Sequence, residues 1–110
     1  MDLIFATTRL QRLCSSEREL QREHGRAGAK KIVAHLASIS AAASLADFRV
    51  LPGQCHELAA DRAGQLALHL PDGKRLVFEP TDDPPPTKAD GGLDWSAVRS
   101  ITILEIFDYH

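Results

Sequence analysis

The stretch from Gln65 to Glu79 constrains the fold most, because apolar and polar residues alternate on both sides of a turn. Leu66, Leu68 and Leu70 recur at every second position, which places them on one face of a strand; Leu76 and Phe78 restore the same period from Lys74 to Glu79. Between the two runs, Pro71-Asp72-Gly73 supplies turn residues. The pattern predicts a β-hairpin with one apolar face, and an apolar face must be covered by another layer.

The first half of the chain supplies candidates for that layer. Leu3, Ile4 and Phe5 form a short apolar run ahead of Thr7 and Thr8, both good helix caps, so a strand followed by a helix is expected. From Arg9 to about His24, Leu10, Leu13, Cys14 and Leu20 fit one helical face, and Gly25 is expected to end the helix. A second helix is expected from about Ala27 to Ala43, with Ile32, Val33, Leu36 and Ile39 as its stripe. The two would form a helical hairpin.

Residues 44–53 read as a connector closed by Pro52-Gly53, and Cys55 to Leu58 as an edge strand. The run TDDPPPTKADGG is too rich in proline, glycine and aspartate for a sheet interior and is expected to be an exposed loop. The last strand, Ser100 to Tyr109, carries Ile101 and Ile103 on one face and Leu104 and Ile106 on the other, which suggests a central position. Residues 1–110 thus predict one α+β domain, in which an N-terminal strand and a two-helix hairpin pack on a mostly antiparallel sheet of three to four strands. The other face of the sheet would remain open.

Composition excludes several classes. With 44% hydrophobic and 25% charged residues the chain can bury a core. It has neither an apolar run of the roughly 18 residues that a membrane span needs nor a basic, apolar leader, so a cytoplasmic protein without membrane contact is expected. Cys14 and Cys55 make no disulfide framework and lack C-x-x-C spacing, so buried free thiols are expected. The histidines show no H-x-x-x-H or H-E-x-x-H spacing, and no metal or cofactor is expected.

The net charge of −2 conceals an asymmetry. Residues 1–55 hold eight Lys/Arg against five Asp/Glu, whereas 56–110 hold five against ten. Overall acidity is unusual for a nucleic-acid enzyme, since affinity for phosphates comes largely from Lys and Arg. The helical half, with Arg9, Arg12, Lys30 and Lys31 among its cations, offers a basic surface for ribosomal RNA or an acidic partner, or simply a solvated helix face.

Four features of residues 45–110 resemble the HigB branch of the RelE superfamily of killer toxins: His56 within CHEL, the DRAGQ turn, Arg75 within KRLVFEP, and the closing Asp108-Tyr109-His110. The resemblance implies a compact microbial-RNase-type fold and cleavage of mRNA in the ribosomal A site. It also implies neutralisation by a helix-turn-helix antitoxin of the HigA type, and contact with operator DNA only through the antitoxin complex. Two departures stand out. Leu58-Ala59-Ala60 lacks the lysine that the family often carries before its Asp-Arg pair, and the loop from Thr81 to Asp94 is longer than in the shortest relatives.

Metal-independent RNA cleavage needs a base for the 2′-hydroxyl, an acid for the leaving oxygen and cations for the crowded phosphorus. Strand alternation sends Arg75 to the open face, where its fork suits phosphate oxygens; Lys74 lies beside it in sequence. His110 is the candidate general acid, with Asp108 favouring its protonated form. His56 is a candidate base or mRNA-orienting group. Tyr109 either joins the site or packs in the core. Arg62 either meets RNA phosphate or 16S rRNA or stands as a turn charge in water. A second reading is a binding protein, a catalytically weak homologue that acts as antitoxin partner and operon co-repressor.

Overall fold

In the computed structural model, which describes residues 1–50 and 55–108, the hairpin reading holds and the layer that covers it is helical. Strand β1 (Asp2–Phe5) leads into α1 (Thr8–Cys14) and α2 (Glu17–Ala41); β2 (His56–Glu57), β3 (Leu66–His69), β4 (Lys74–Pro80) and β5 (Ser100–Asp108) follow. Among the described residues these strands form one sheet in the order β1-β5-β4-β3-β2. The β1–β5 pair is parallel and every other pair antiparallel.

The helical region keeps the expected hairpin and adds a break within its first arm. Thr7 caps α1 through a bond from Leu10 N–H, and Ser16 caps α2 by accepting from Glu19 N–H. The break therefore comes at Ser15-Ser16, where sequence reading carried one helix through to His24. The expected turn at Gly25 is also present: φ is +73°, a backbone region open to glycine and strained for other residues. Glu17 and Gln21 line one surface hollow together with Ala29, Lys30 and Val33. A continuous helix would hold residues 17 and 33 about 24 Å apart at its rise per residue, so the two halves of α2 fold back on each other at Gly25. Arg9 likewise reaches Glu23 at 3.6 Å across the Ser15-Ser16 turn.

The core lies between these helices and one sheet face. Leu20, Ile32 and Ile39 of α2 meet Leu66, Leu68, Leu76, Phe78, Ile101 and Ile103, all within 1% of complete burial. Burying each such side chain contributes roughly 1.5–3 kcal/mol, which makes this face the main source of stability. Strand β5 is central, as expected, but the explanation of its apolar middle changes. Phe78 pairs with Ile103 and Val77 with Glu105, so Leu104 is an extra residue in a bulge. The insertion shifts the alternation, and Ile106, opposite Leu76, returns to the helical face with Ile101 and Ile103. The residues expected on two faces are reconciled by one irregularity.

The cysteine expectation needs adjustment as well. Cys14 and Cys55 are free but only partly buried. Burial pushes their thiols up to about 11 and about 12 respectively, which leaves little thiolate at neutral pH. Among the described residues no helix is long and apolar enough to cross a membrane.

Candidate functional site

Because Leu66, Leu68, Leu76 and Phe78 point to the helices, Ala67, His69, Arg75 and Val77 point the other way. The pairing then fixes the neighbours. His56 stands opposite Ala67, His69 opposite Arg75, and Arg75 opposite Phe107. Residues distant in sequence thus meet at one end of the open face. Arg75 Nη1 lies 2.9 Å from His56 Nε2 and 3.5 Å from His69 Nε2, and the two imidazole centroids are 5.4 Å apart.

The direction of these contacts follows from the guanidinium, which can only donate. An imidazole that bonds to Arg75 here does so through the lone pair of its Nε2. Burial holds His69 below the ordinary histidine value, and the charge of Arg75 adds to that effect. His69 was absent from the sequence-based site. The signal for it was available, since a turn at Pro71-Asp72-Gly73 makes His69 and Arg75 cross-strand partners on the face that Leu68 and Leu70 leave.

The floor beneath is also polar at one point. His35 of α2 is 4% exposed, and its Nε2–H donates to the backbone carbonyl of His69 at 2.8 Å. Burial holds His35 below its ordinary value, favouring the neutral ring that this bond uses. The buried imidazole thereby ties helix α2 to the strand residue that carries the open-face histidine.

Arg62 shares the open face but is engaged within the protein. Its guanidinium lies 4.4 Å from the centroid of Phe107, donates to Gln65 Oε1 at 2.9 Å, and pairs with Glu105. The short turn Ala60–Arg62 is laid over the sheet by these contacts, which explains why Ala67 and Val77 are fully buried on a face without helices. This is neither of the two positions expected for Arg62, phosphate contact or solvated turn charge.

Other predicted residues lie elsewhere. Lys74 pairs with Asp108 in register, and Lys74 Nζ donates to His24 Nδ1 of α2 at 3.3 Å. Alternation along both strands therefore puts Lys74, expected to contact RNA or the ribosome, and Asp108 on the helical side, away from Arg75, which corrects the expectation that Asp108 joins one site with it. Arg9, Arg12, Lys30 and Lys31 are exposed in the helical layer. Arg9 also borders a groove of about 610 Å³ together with Leu10, Leu13 and Leu104. Tyr109 and His110 lie outside the described residues. Among the described residues no group of three or more His, Cys, Asp or Glu side chains is arranged to hold a metal ion.

The assembled groups are one guanidinium, two imidazoles against it and an aromatic neighbour, a set able to bind an anion. No family model matches the sequence, and no curated protein matches it. Among solved structures, the YoeB/ParE toxin from Agrobacterium tumefaciens is similar over 100% of both chains, with a TM-score of 0.60 at 11% sequence identity. At that identity the likeness is one of fold. It agrees with the expected α+β, RelE-like arrangement of the microbial-RNase type.

Proposed function

We propose that this chain is the toxin of a bacterial toxin–antitoxin pair and acts in the cytoplasm as a metal-independent, ribosome-dependent mRNA endonuclease, without a cofactor. The observation that carries the reading is the 2.9 Å pairing of Arg75 with His56 on the open face of a YoeB/ParE-like fold. In this mechanism Arg75 takes the scissile phosphate and stabilises charge as it builds on the nonbridging oxygens. His56 orients the ribose beside it. His110 gives a proton to the leaving oxygen, with Tyr109 beside it in sequence as a supporting group. The cations of the helical layer, Arg9, Arg12, Lys30 and Lys31, together with Lys74, engage 16S rRNA. A HigA-type helix-turn-helix antitoxin neutralises the chain and alone carries it to operator DNA.

The deciding experiment is induction without antitoxin, with mRNA 5′ ends mapped. Growth arrest and in-frame cuts are expected from the wild type and absent from Arg75→Ala. Folded, well-expressed wild type that leaves mRNA intact overturns the nuclease reading.

One observation favours the second reading, a catalytically weak homologue retained as antitoxin partner and co-repressor. The pairing of Arg62 with Glu105 occupies one cation near Arg75, and Ala59 and Ala60 stand where the resembled family often has a lysine. Repression of an operator by the complex, without mRNA cuts, is its expected outcome.

A further inference from the structure

We infer that His69 is the general base of the cleavage, taking the proton from the ribose 2′-hydroxyl beside the phosphate held by Arg75. The inference rests on the nuclease reading above and adds a residue that sequence comparison did not supply. Three geometric observations carry it. His69 and Arg75 are directly paired across the β3–β4 hairpin, so the distance between a phosphate on the guanidinium and the imidazole is fixed by two adjacent strands. At 3.5 Å from Nη1 the His69 contact is the looser of the two imidazole contacts, and His56 at 2.9 Å is the ring the guanidinium holds. The backbone of His69 is anchored from below by His35 at 2.8 Å, so the ring stands on a braced strand end.

The step balances as a transesterification. Nε2 of His69 accepts the 2′-hydroxyl proton while the 2′-oxygen forms a bond to phosphorus. The bond from phosphorus to the 5′-oxygen breaks, and that oxygen leaves with the electron pair and takes a proton from water or from the acid named above. The products are a 2′,3′-cyclic phosphate and a 5′-hydroxyl, and His69 returns its proton to solvent. Arg75 turns its N–H groups from the imidazoles to the phosphate when substrate enters. Substrate binding therefore frees the Nε2 lone pair at the moment it is needed.

The test is single-turnover cleavage of mRNA on programmed ribosomes between pH 5.5 and 8, with wild type, His69→Gln and His69→Ala. The wild-type rate is expected to rise with pH and level off at a midpoint below the ordinary histidine value, because burial and Arg75 hold His69 there. His69→Gln is expected to lower the rate about 100-fold, remove the pH limb, and leave ribosome binding and the melting temperature in place. Added imidazole is expected to restore part of the rate to His69→Ala, which a structural role would not allow. Cleavage by His69→Gln at the wild-type rate, or a slowed rate with an unchanged pH limb, overturns the assignment while the nuclease reading stands. Wild type that does not cleave overturns both.

Discussion

The two faces of the sheet are made from the same strands and have opposite composition. On the helical face, Leu66, Leu68, Leu76, Phe78, Ile101 and Ile103 are buried to within 1% of completely, and their worth is the apolar area they remove from water. On the open face, one residue along the same strands, stand His56, His69, Arg75 and Phe107, with Arg62 and Glu105 folded over the middle. A shift of one residue along a strand thus separates residues that hold the fold from residues that gather on the open face. Substitutions one position apart should consequently fail in different assays.

The largest effect expected belongs to the helical face. Phe78→Ala should destabilise the protein by about 3–5 kcal/mol, through lost burial and the cavity left behind, as read by urea denaturation. A loss below about 1 kcal/mol would mean that the core lies elsewhere. Arg75→Ala, three residues away on the other face, should instead cost at least about 100-fold in cleavage while moving stability by less than about 1 kcal/mol. Equal losses of both would erase the division between the faces.

His35 tests the connection between them. His35→Ala should cost about 2 kcal/mol, since it opens a small cavity and strands the His69 carbonyl. Its pH signature follows from linkage. Burial holds folded His35 below its ordinary value of 6.5, so the unfolded chain binds the proton more readily. The stability this group supplies is complete above 6.5 and is lost as pH falls through the lower, folded value. His24, lowered by burial and by Lys74, acts in the same direction. Denaturation midpoints should therefore fall as the pH is lowered below 6.5, and His35→Ala should flatten that dependence. A pH profile identical to that of the wild type would show that His35 does not contribute.

The smallest expected change is at Arg62. Its side chain is 27% exposed and its partner Glu105 is 42% exposed, so solvent screens the pair. Arg62→Ala should cost about 1 kcal/mol, mostly from the packing over Phe107, and should expose the open face. Faster cleavage by this variant would show that the turn from Ala60 to Arg62 obstructs the site; slower cleavage would return Arg62 to the RNA-contact role expected from sequence.

Much of this division was legible in the sequence because it depends on period. Alternation of Leu66, Leu68 and Leu70 fixed which face of β3 is buried, and Pro71-Asp72-Gly73 fixed its partner. The fold-back at Ser15-Ser16 was missed although Ser16 and Glu19 carry the spacing of a capping box. Their polar side chains also fit the solvent side of a continuing helix, and the apolar stripe did not exclude it. The bulge at Leu104 was invisible because periodicity assumes a regular strand. The separation of Asp108 from Arg75 depends on the register of β4 with β5, which sets Asp108 opposite Lys74 and on the other face from Arg75. His69 was overlooked for a like reason: its neighbour is reached only through the hairpin register.

The strand order also governs when the protein can exist. Among the described residues β1 pairs with β5 alone, the last strand in the order of the chain, and through it joins the hairpin of β3 and β4. Contacts so remote in sequence slow folding, because loop closure must precede their reward. During biosynthesis the helices and the hairpin emerge without the strand that unites them, and the edges of β1 and β4 wait unpaired until β5 is delivered. A chain stopped short of Ser100 would hold the hairpin that pairs His69 with Arg75 and still lack Phe107 beside Arg75 and Glu105 beneath Arg62, so the open face is completed only when β5 is added.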